Sequence, residues 1–302
     1  MAMGLGGLLW FLLLAISHPR TVQGEVVENF QKCDSFFRDH TPPQGFDGMD
    51  NLVRICQRYK NRYHFATLYR TDLRIPVYSA YTYKTPSKSN ESYRPCAWFY
   101  EPQIDDPKAS ADMKSSKGKT SNKQAVHSDY MNTSYERGHL YPYTFNEGDS
   151  ATASCTLTNA IPKTGDANKK WYHYAERPIK ILAENCHNSG SQMYLVTGSA
   201  EYTGGTMNNK VVVPGLIWTA VCCNSLVCQN NFGSPTTTDF SIAFMKELLN
   251  TNDVIRMMVP DLERRLNLEN VRIFNQCRGT NGIQEQQTYQ EVITLLNNIT
   301  EL

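Results

Sequence analysis

Two runs of residues alternate between apolar and polar positions on either side of Asp72. They are Arg62-Tyr63-His64-Phe65-Ala66-Thr67-Leu68-Tyr69 and Ile75-Pro76-Val77-Tyr78-Ser79-Ala80-Tyr81-Thr82-Tyr83. A period of two, with many β-branched and aromatic side chains, predicts a β-hairpin, because successive side chains leave a strand on opposite faces. The same signature predicts strands over 193–197, 210–213, 217–223 and 240–245, whereas helices are expected over 166–177, 179–185, 261–266 and 284–298. Residues 25–60, with the turn Thr41-Pro42-Pro43-Gln44-Gly45, read as short helices. No internal repeat or linker divides the rest, and the length suits one large α/β or α+β domain.

One apolar run has a different meaning. Residues 4–16, ending before His18, Pro19 and Arg20, are too few to span a bilayer and match the core of a secretory signal peptide. Val22-Gln23-Gly24 offers a small-residue cleavage site, so residues 1–24 are expected to be removed and the product to be secreted, with no membrane span. All nine cysteines (Cys33, Cys56, Cys96, Cys155, Cys186, Cys222, Cys223, Cys228 and Cys277) follow that segment, which predicts a disulfide framework with one cysteine left over. Cys33 and Cys56 make a plausible local loop, and the adjacent Cys222 and Cys223 should face opposite sides of a strand and enter different bridges. Sequons at Asn90, Asn132 and Asn298 suit a glycosylated surface. Thirty basic and twenty-nine acidic residues leave no global positive field, so any nucleic-acid binding must rest on local charge, such as Lys114, Lys117, Lys119 and Lys123.

The densest chemistry lies in Tyr135-Glu136-Arg137-Gly138-His139-Leu140-Tyr141-Pro142, where a guanidinium that can fork onto phosphate stands two residues from an imidazole that can accept a proton. Around it come Asp129-Tyr130, Leu157-Thr158-Asn159-Ala160-Ile161-Pro162, and Asn168, Trp171 and Glu176. Further on stand Tyr194-Leu195-Val196-Thr197-Gly198, Val213-Pro214-Gly215-Leu216-Ile217-Trp218 and Phe240-Ser241-Ile242-Ala243-Phe244. Together, and in this order, these motifs resemble the DNA/RNA non-specific endonuclease family with its ββα-metal active site. Cys33-Asp34-Ser35-Phe36-Phe37, Gly45, Val53-Arg54-Ile55-Cys56-Gln57 and Glu101-Pro102-Gln103-Ile104-Asp105-Asp106-Pro107 resemble, within that family, the vertebrate endonuclease domain-containing 1 proteins.

The resemblance implies an α+β fold, a central and mostly antiparallel sheet flanked by helices and stabilised by disulfides. It places the endonuclease domain at 61–280, between a helical, disulfide-linked extension at 25–60 and a terminal helix at 281–302. It further implies His139 as general base, Asn168 as the direct protein ligand of Mg2+ (or Mn2+), and Arg137 as the phosphate-neutralising arginine, with Arg94 a second. Glu176 would hold the metal's water, and Asn159 would position Asn168 or His139. Asn168, Tyr172 and Glu176, four apart, would share one helix stripe. Glu136 stands where the family usually has Asp, and Pro178 is expected to break or kink the helix after Glu176. Two functions compete: a secreted, metal-dependent nuclease acting on DNA or RNA without base reading, and a nuclease fold kept as a secreted nucleic-acid-binding or immune-interaction module.

Overall fold

The computed structural model describes residues 25–85, 96–229, 235–250, 252–275 and 277, with 286, 289–294 and 296–297. Its centre is an antiparallel sheet of eight strands. From edge to edge these are β1 (Glu25–Val27), β2 (Leu52–Tyr59), β3 (Arg62–Arg70), β4 (Ile75–Thr82), β9 (Met193–Ala200), β12 (Leu216–Gln229), β13 (Pro235–Glu247) and β14 (Ile255–Met257). Three two-stranded ladders lie outside it: β5 (Phe99–Tyr100) with β6 (Lys114–Ser115), β7 (Tyr135–His139) with β8 (Ala160–Thr164), and β10 (Thr206–Met207) with β11 (Val211–Val212). Among the described residues, no helix is long and apolar enough to cross a membrane.

Alternation divides the core. Phe65, Tyr81, Leu195, Ile217, Val221 and Phe244 face one side of the sheet, while Ala66, Tyr78, Val196, Trp218, Ala220 and Ala243 face the other. Both sides are covered, so seven of the eight β4 positions are buried. One cover is a helical run of three joined segments: α3 (Gly165–Trp171), a π-helical turn over Tyr172–Glu176, and α4 (Arg177–Asn188). The other cover combines 3-10 turns at Phe30–Phe36 and Arg38–His40 with α5 (Val259–Arg265). Two short helices, α1 (Pro102–Asp105) and α2 (Gly148–Ser154), lie in the connections from β5 to β6 and from β7 to β8.

The run from Gly165 to Asn188 shows how sequence sets the helix register. Thr164 caps it, its Oγ1 accepting from the Ala167 amide at 3.2 Å. The buried positions Ala167, Trp171, Ala175 and Ile179 recur every fourth residue, which outruns a 3.6-residue turn. The wider π turn absorbs the excess and keeps this stripe on the sheet, with the Arg177 amide donating to the Tyr172 carbonyl. Pro178 therefore does not break the helix as its ring alone would suggest. It enters at the first turn of α4, directly after the wide rung.

Two further expectations change. Residues 25–60 are only in part the expected helical, disulfide-linked extension: the 3-10 turns at Phe30–Phe36 and Arg38–His40 are there, but β1 and β2 belong to the sheet, with Leu52 to Tyr59 paired along β3. Burial of Ile55, Cys56, Gln57 and Arg58 on both faces erases the alternation that would have marked a strand. The helices expected over 166–177 and 179–185 are one continuous run. Residues 289–294 are helical, whereas residues 1–24, Asn90 and Asn298 lie outside the described residues.

Among the described residues, four disulfides join Cys33 to Cys56, Cys96 to Cys155, Cys186 to Cys223 and Cys222 to Cys277. Cys222 and Cys223 do serve opposite faces: the first is in the cluster under α5, the second in the cluster under α4. Cys186 and Cys223 are 37 residues apart, and constraining a loop of that length in the unfolded chain is worth about 4 kcal/mol. Replacing both by Ala is expected to lower the unfolding free energy in urea by about that amount. An unchanged urea midpoint would show that the α4–β12 bridge adds nothing.

Candidate active site

The β7–β8 ladder followed by α3 forms a ββα unit, and most of the candidate residues lie on it. Glu136 pairs with Lys163, Arg137 with Pro162, Gly138 with Ile161 and His139 with Ala160. Alternation along β7 sends Arg137 and His139 to one face and Glu136 to the other. On the first face, the Arg137 guanidinium lies between the rings of Trp98 and Tyr130, 5.6 and 5.0 Å from their centroids, and donates to the His127 carbonyl at 3.1 Å. Two aromatic faces and one carbonyl hold the cation, and among the described residues no carboxylate pairs with it.

His139 is half-buried, flanked by Trp98, 5.0 Å away, by Tyr143, and by the Cys96–Cys155 disulfide, whose Cys96 Sγ lies 3.8 Å from Nε2. Burial first, and the nearby Lys163 ammonium second, push the imidazole pKa down to about 3. His139 is therefore neutral throughout the physiological pH range, the form that can accept a proton.

The second face gathers Glu136, Asn168, Lys163 and Glu176. Asn168 Nδ2 donates to Glu136 Oε2 at 2.8 Å, which turns its Oδ1 away from that carboxylate. Burial raises the Glu176 carboxyl, an effect that Lys163 opposes. Carboxylate and amide oxygens are the donor type that hard divalent cations take, and the hydrogen bond to Glu136 leaves Asn168 Oδ1 free of that carboxylate. His139 and Asn168 share no hydrogen bond. Both, however, lie close to Lys163: its charge acts on His139 and Glu176, and it pairs across the strands with Glu136, which holds Asn168.

Asn159 is fully buried, and its four side-chain hydrogen bonds go elsewhere than to Asn168 and the imidazole. Its Oδ1 accepts from Ser79 Oγ and the Tyr141 amide, both at 2.9 Å, and its Nδ2 donates to the carbonyls of Tyr141 and Ser154 at 3.1 and 2.8 Å. The Asn159 carbonyl also accepts from the Leu140 amide at 2.9 Å. Asn159 thus clamps the two residues that follow His139 and acts on the site through the backbone.

A profile of the DNA/RNA non-specific endonuclease family matches residues 44–254, more than two thirds of the chain. The chain belongs to that family. The human endonuclease domain-containing 1 protein is 32% identical over 299 residues, which is 96% of this chain and 56% of the human protein. Its mouse counterpart is 29% identical over 309 residues, 99% of this chain and 57% of the mouse protein. The chain thus spans a little over half the length of these relatives. A chain from the crystal structure of the EndoG/EndoGI complex superposes with a TM-score of 0.48 at 14% identity, covering 74% of this chain and 86% of that one.

Within this family member, Arg94 lies outside the described residues. One residue at the site was missed by sequence reasoning, Lys163. It is 1% exposed, its Nζ has no hydrogen-bonding partner among the described residues, and burial lowers its pKa to about 8. The available signal was Gly138, two positions along the facing strand from Glu136, the residue paired with Lys163, and so on the same face. A Cβ there would come within 1.8 Å of Lys163 Cε, so only glycine leaves the channel through which the lysine reaches the site.

Proposed function

We propose that this chain is a secreted, metal-dependent endonuclease that hydrolyses phosphodiester bonds of DNA and RNA without reading base sequence. The observation that carries the reading is the neutral imidazole of His139 beside the guanidinium of Arg137, which rests on two aromatic rings and the His127 carbonyl, on the ladder whose other face presents Asn168 held by Glu136. Arg137 binds a non-bridging phosphate oxygen and orients the diester, and neutral His139 takes the proton of the attacking water. An incoming phosphate adds negative charge beside the imidazole and raises its basicity when the proton must be taken. Asn168 would hold a divalent cation, which when bound would supply charge stabilisation to the reaction. Glu176 would accept hydrogen bonds from the cation's water, and Lys163 keeps the floor of the site positive. Cleavage leaves 5′-phosphate ends.

Sequence-independent binding follows from phosphate contacts. The exposed Lys114, Lys117, Lys119 and Lys123 form a basic edge tied to the site, because Ser116 Oγ donates to the Trp98 carbonyl at 2.8 Å. The four disulfides suit an oxidising, extracellular setting. The protein is expected to nick supercoiled plasmid in millimolar Mg2+ or Mn2+ and to stop when a chelator is added. Cleavage that persists in chelator overturns metal dependence. A second reading, a nucleic-acid-binding or immune-interaction module with vestigial catalysis, draws on the low basicity of the free imidazole and is adopted if intact DNA is bound but never cut.

A further inference from the structure

We propose that Cys96, Cys155 and His139 form a redox-gated site for a soft divalent cation of the zinc class, closed while the disulfide stands and opened when a dithiol reduces it. The bound ion would occupy the lone pair of His139 Nε2 and so switch off the base. Two sulfurs and one imidazole nitrogen lie here within 4.8 Å of one another. In a tetrahedral zinc site, Zn–S and Zn–N bonds of about 2.3 and 2.0 Å put sulfur and nitrogen about 3.6 Å apart. The 3.8 Å between Cys96 Sγ and His139 Nε2 is already close to that edge. Thiolates favour zinc over Mg2+, so this site and the oxygen atoms of Asn168, Glu136 and Glu176 select different ions.

Two observations point to this bridge as the one that opens. Of the eight bridged cysteines, seven are at most 2% exposed, and only Cys96 is partly accessible. The backbone also holds the two sulfurs in register independently of their bond: the Phe99 amide donates to the Cys155 carbonyl at 2.9 Å, and Phe99 forms a β-bridge with Thr156. Opening the disulfide therefore leaves both thiols beside His139.

The chemistry balances with a dithiol as reductant. Its thiolate attacks Cys96 Sγ, the Cys96–Cys155 bond breaks, and Cys155 leaves as a thiolate. The second thiol of the reductant then displaces Cys96, closing the reductant's own disulfide. Two electrons and two protons pass to the protein, giving two thiols. Binding Zn2+ releases those two protons to solvent as both sulfurs become thiolates, and water fills the fourth position.

The test uses the folded full chain, treated with low concentrations of a small dithiol and then zinc chloride. Alkylation and peptide mapping are expected to label Cys96 and Cys155 before any other bridged cysteine. One equivalent of zinc is expected to bind the reduced protein, to protect both thiols from alkylation, and to raise its melting temperature, with none of this in the oxidised protein. The Cys96→Ser/Cys155→Ser variant under the same treatment should show no zinc-dependent change. Labelling elsewhere first, or thiols that zinc leaves unprotected, overturns the site. Inhibition rests on His139 being the base: plasmid nicking in millimolar Mg2+ should fall by about 10²-fold or more on zinc loading of the reduced enzyme and return with a zinc chelator followed by fresh Mg2+. Protected thiols with undiminished nicking would leave the zinc site standing and overturn His139 as the base.

Discussion

His139→Ala is expected to reduce DNA cleavage by on the order of 10² to 10⁴-fold, the contribution of a positioned general base, and added Mg2+ should not restore it. The ring is held by Trp98, Tyr143 and the Cys96–Cys155 bridge rather than by hydrogen bonds to the core, so the variant should keep a near-wild-type melting temperature. Asn168→Ala should behave differently. Removing the amide ligand weakens metal affinity, so its activity should recover partly as Mg2+ or Mn2+ is raised. Initial nicking rates across a metal titration separate the two variants. Equal recovery of both by metal would remove the division of labour between them.

Asn159→Ala carries the largest expected loss of stability. Four hydrogen bonds end on its side chain, to Ser79, twice to Tyr141 and to Ser154, all at buried positions. Each partner left unsatisfied costs about 1–3 kcal/mol, against a total stability of about 5–15 kcal/mol. The melting temperature should fall by on the order of 10 °C. Loss of activity should accompany it, because the freed Leu140–Tyr141 segment no longer fixes the end of β7. A variant with wild-type melting but lost cleavage would instead place Asn159 in direct contact with the reaction.

The candidate residues could be named from the sequence because the resemblance to the family rests on particular side chains in a fixed order. Arg137-Gly138-His139, then Asn159, then Asn168 and Glu176, are such a series. The α+β fold was legible through alternation, most clearly at β3 and β4. What escaped depends on contacts distant in sequence. Lys163 follows Pro162 at the end of an apolar run, and only the register with Glu136 and the channel over Gly138 show that it is buried. The π turn was not visible because a four-residue spacing reads as an ordinary helix stripe. Only its repetition from Ala167 to Ile179 requires a wider turn. The Cys96–Cys155 bridge joins segments 59 residues apart, so its place against His139 is a tertiary fact.

The most direct test is the pH dependence of kcat/KM for wild-type cleavage of DNA in saturating Mg2+, which reports the ionisations of the free enzyme. With the His139 pKa held near 3, the imidazole is already neutral at pH 5, and the profile should stay flat from there to pH 7.5. A base at its ordinary value would instead give a rising limb near pH 6.5. A limb centred there and lost in His139→Ala would contradict the half-buried, neutral imidazole, and no cleavage at any pH would contradict the nuclease reading itself.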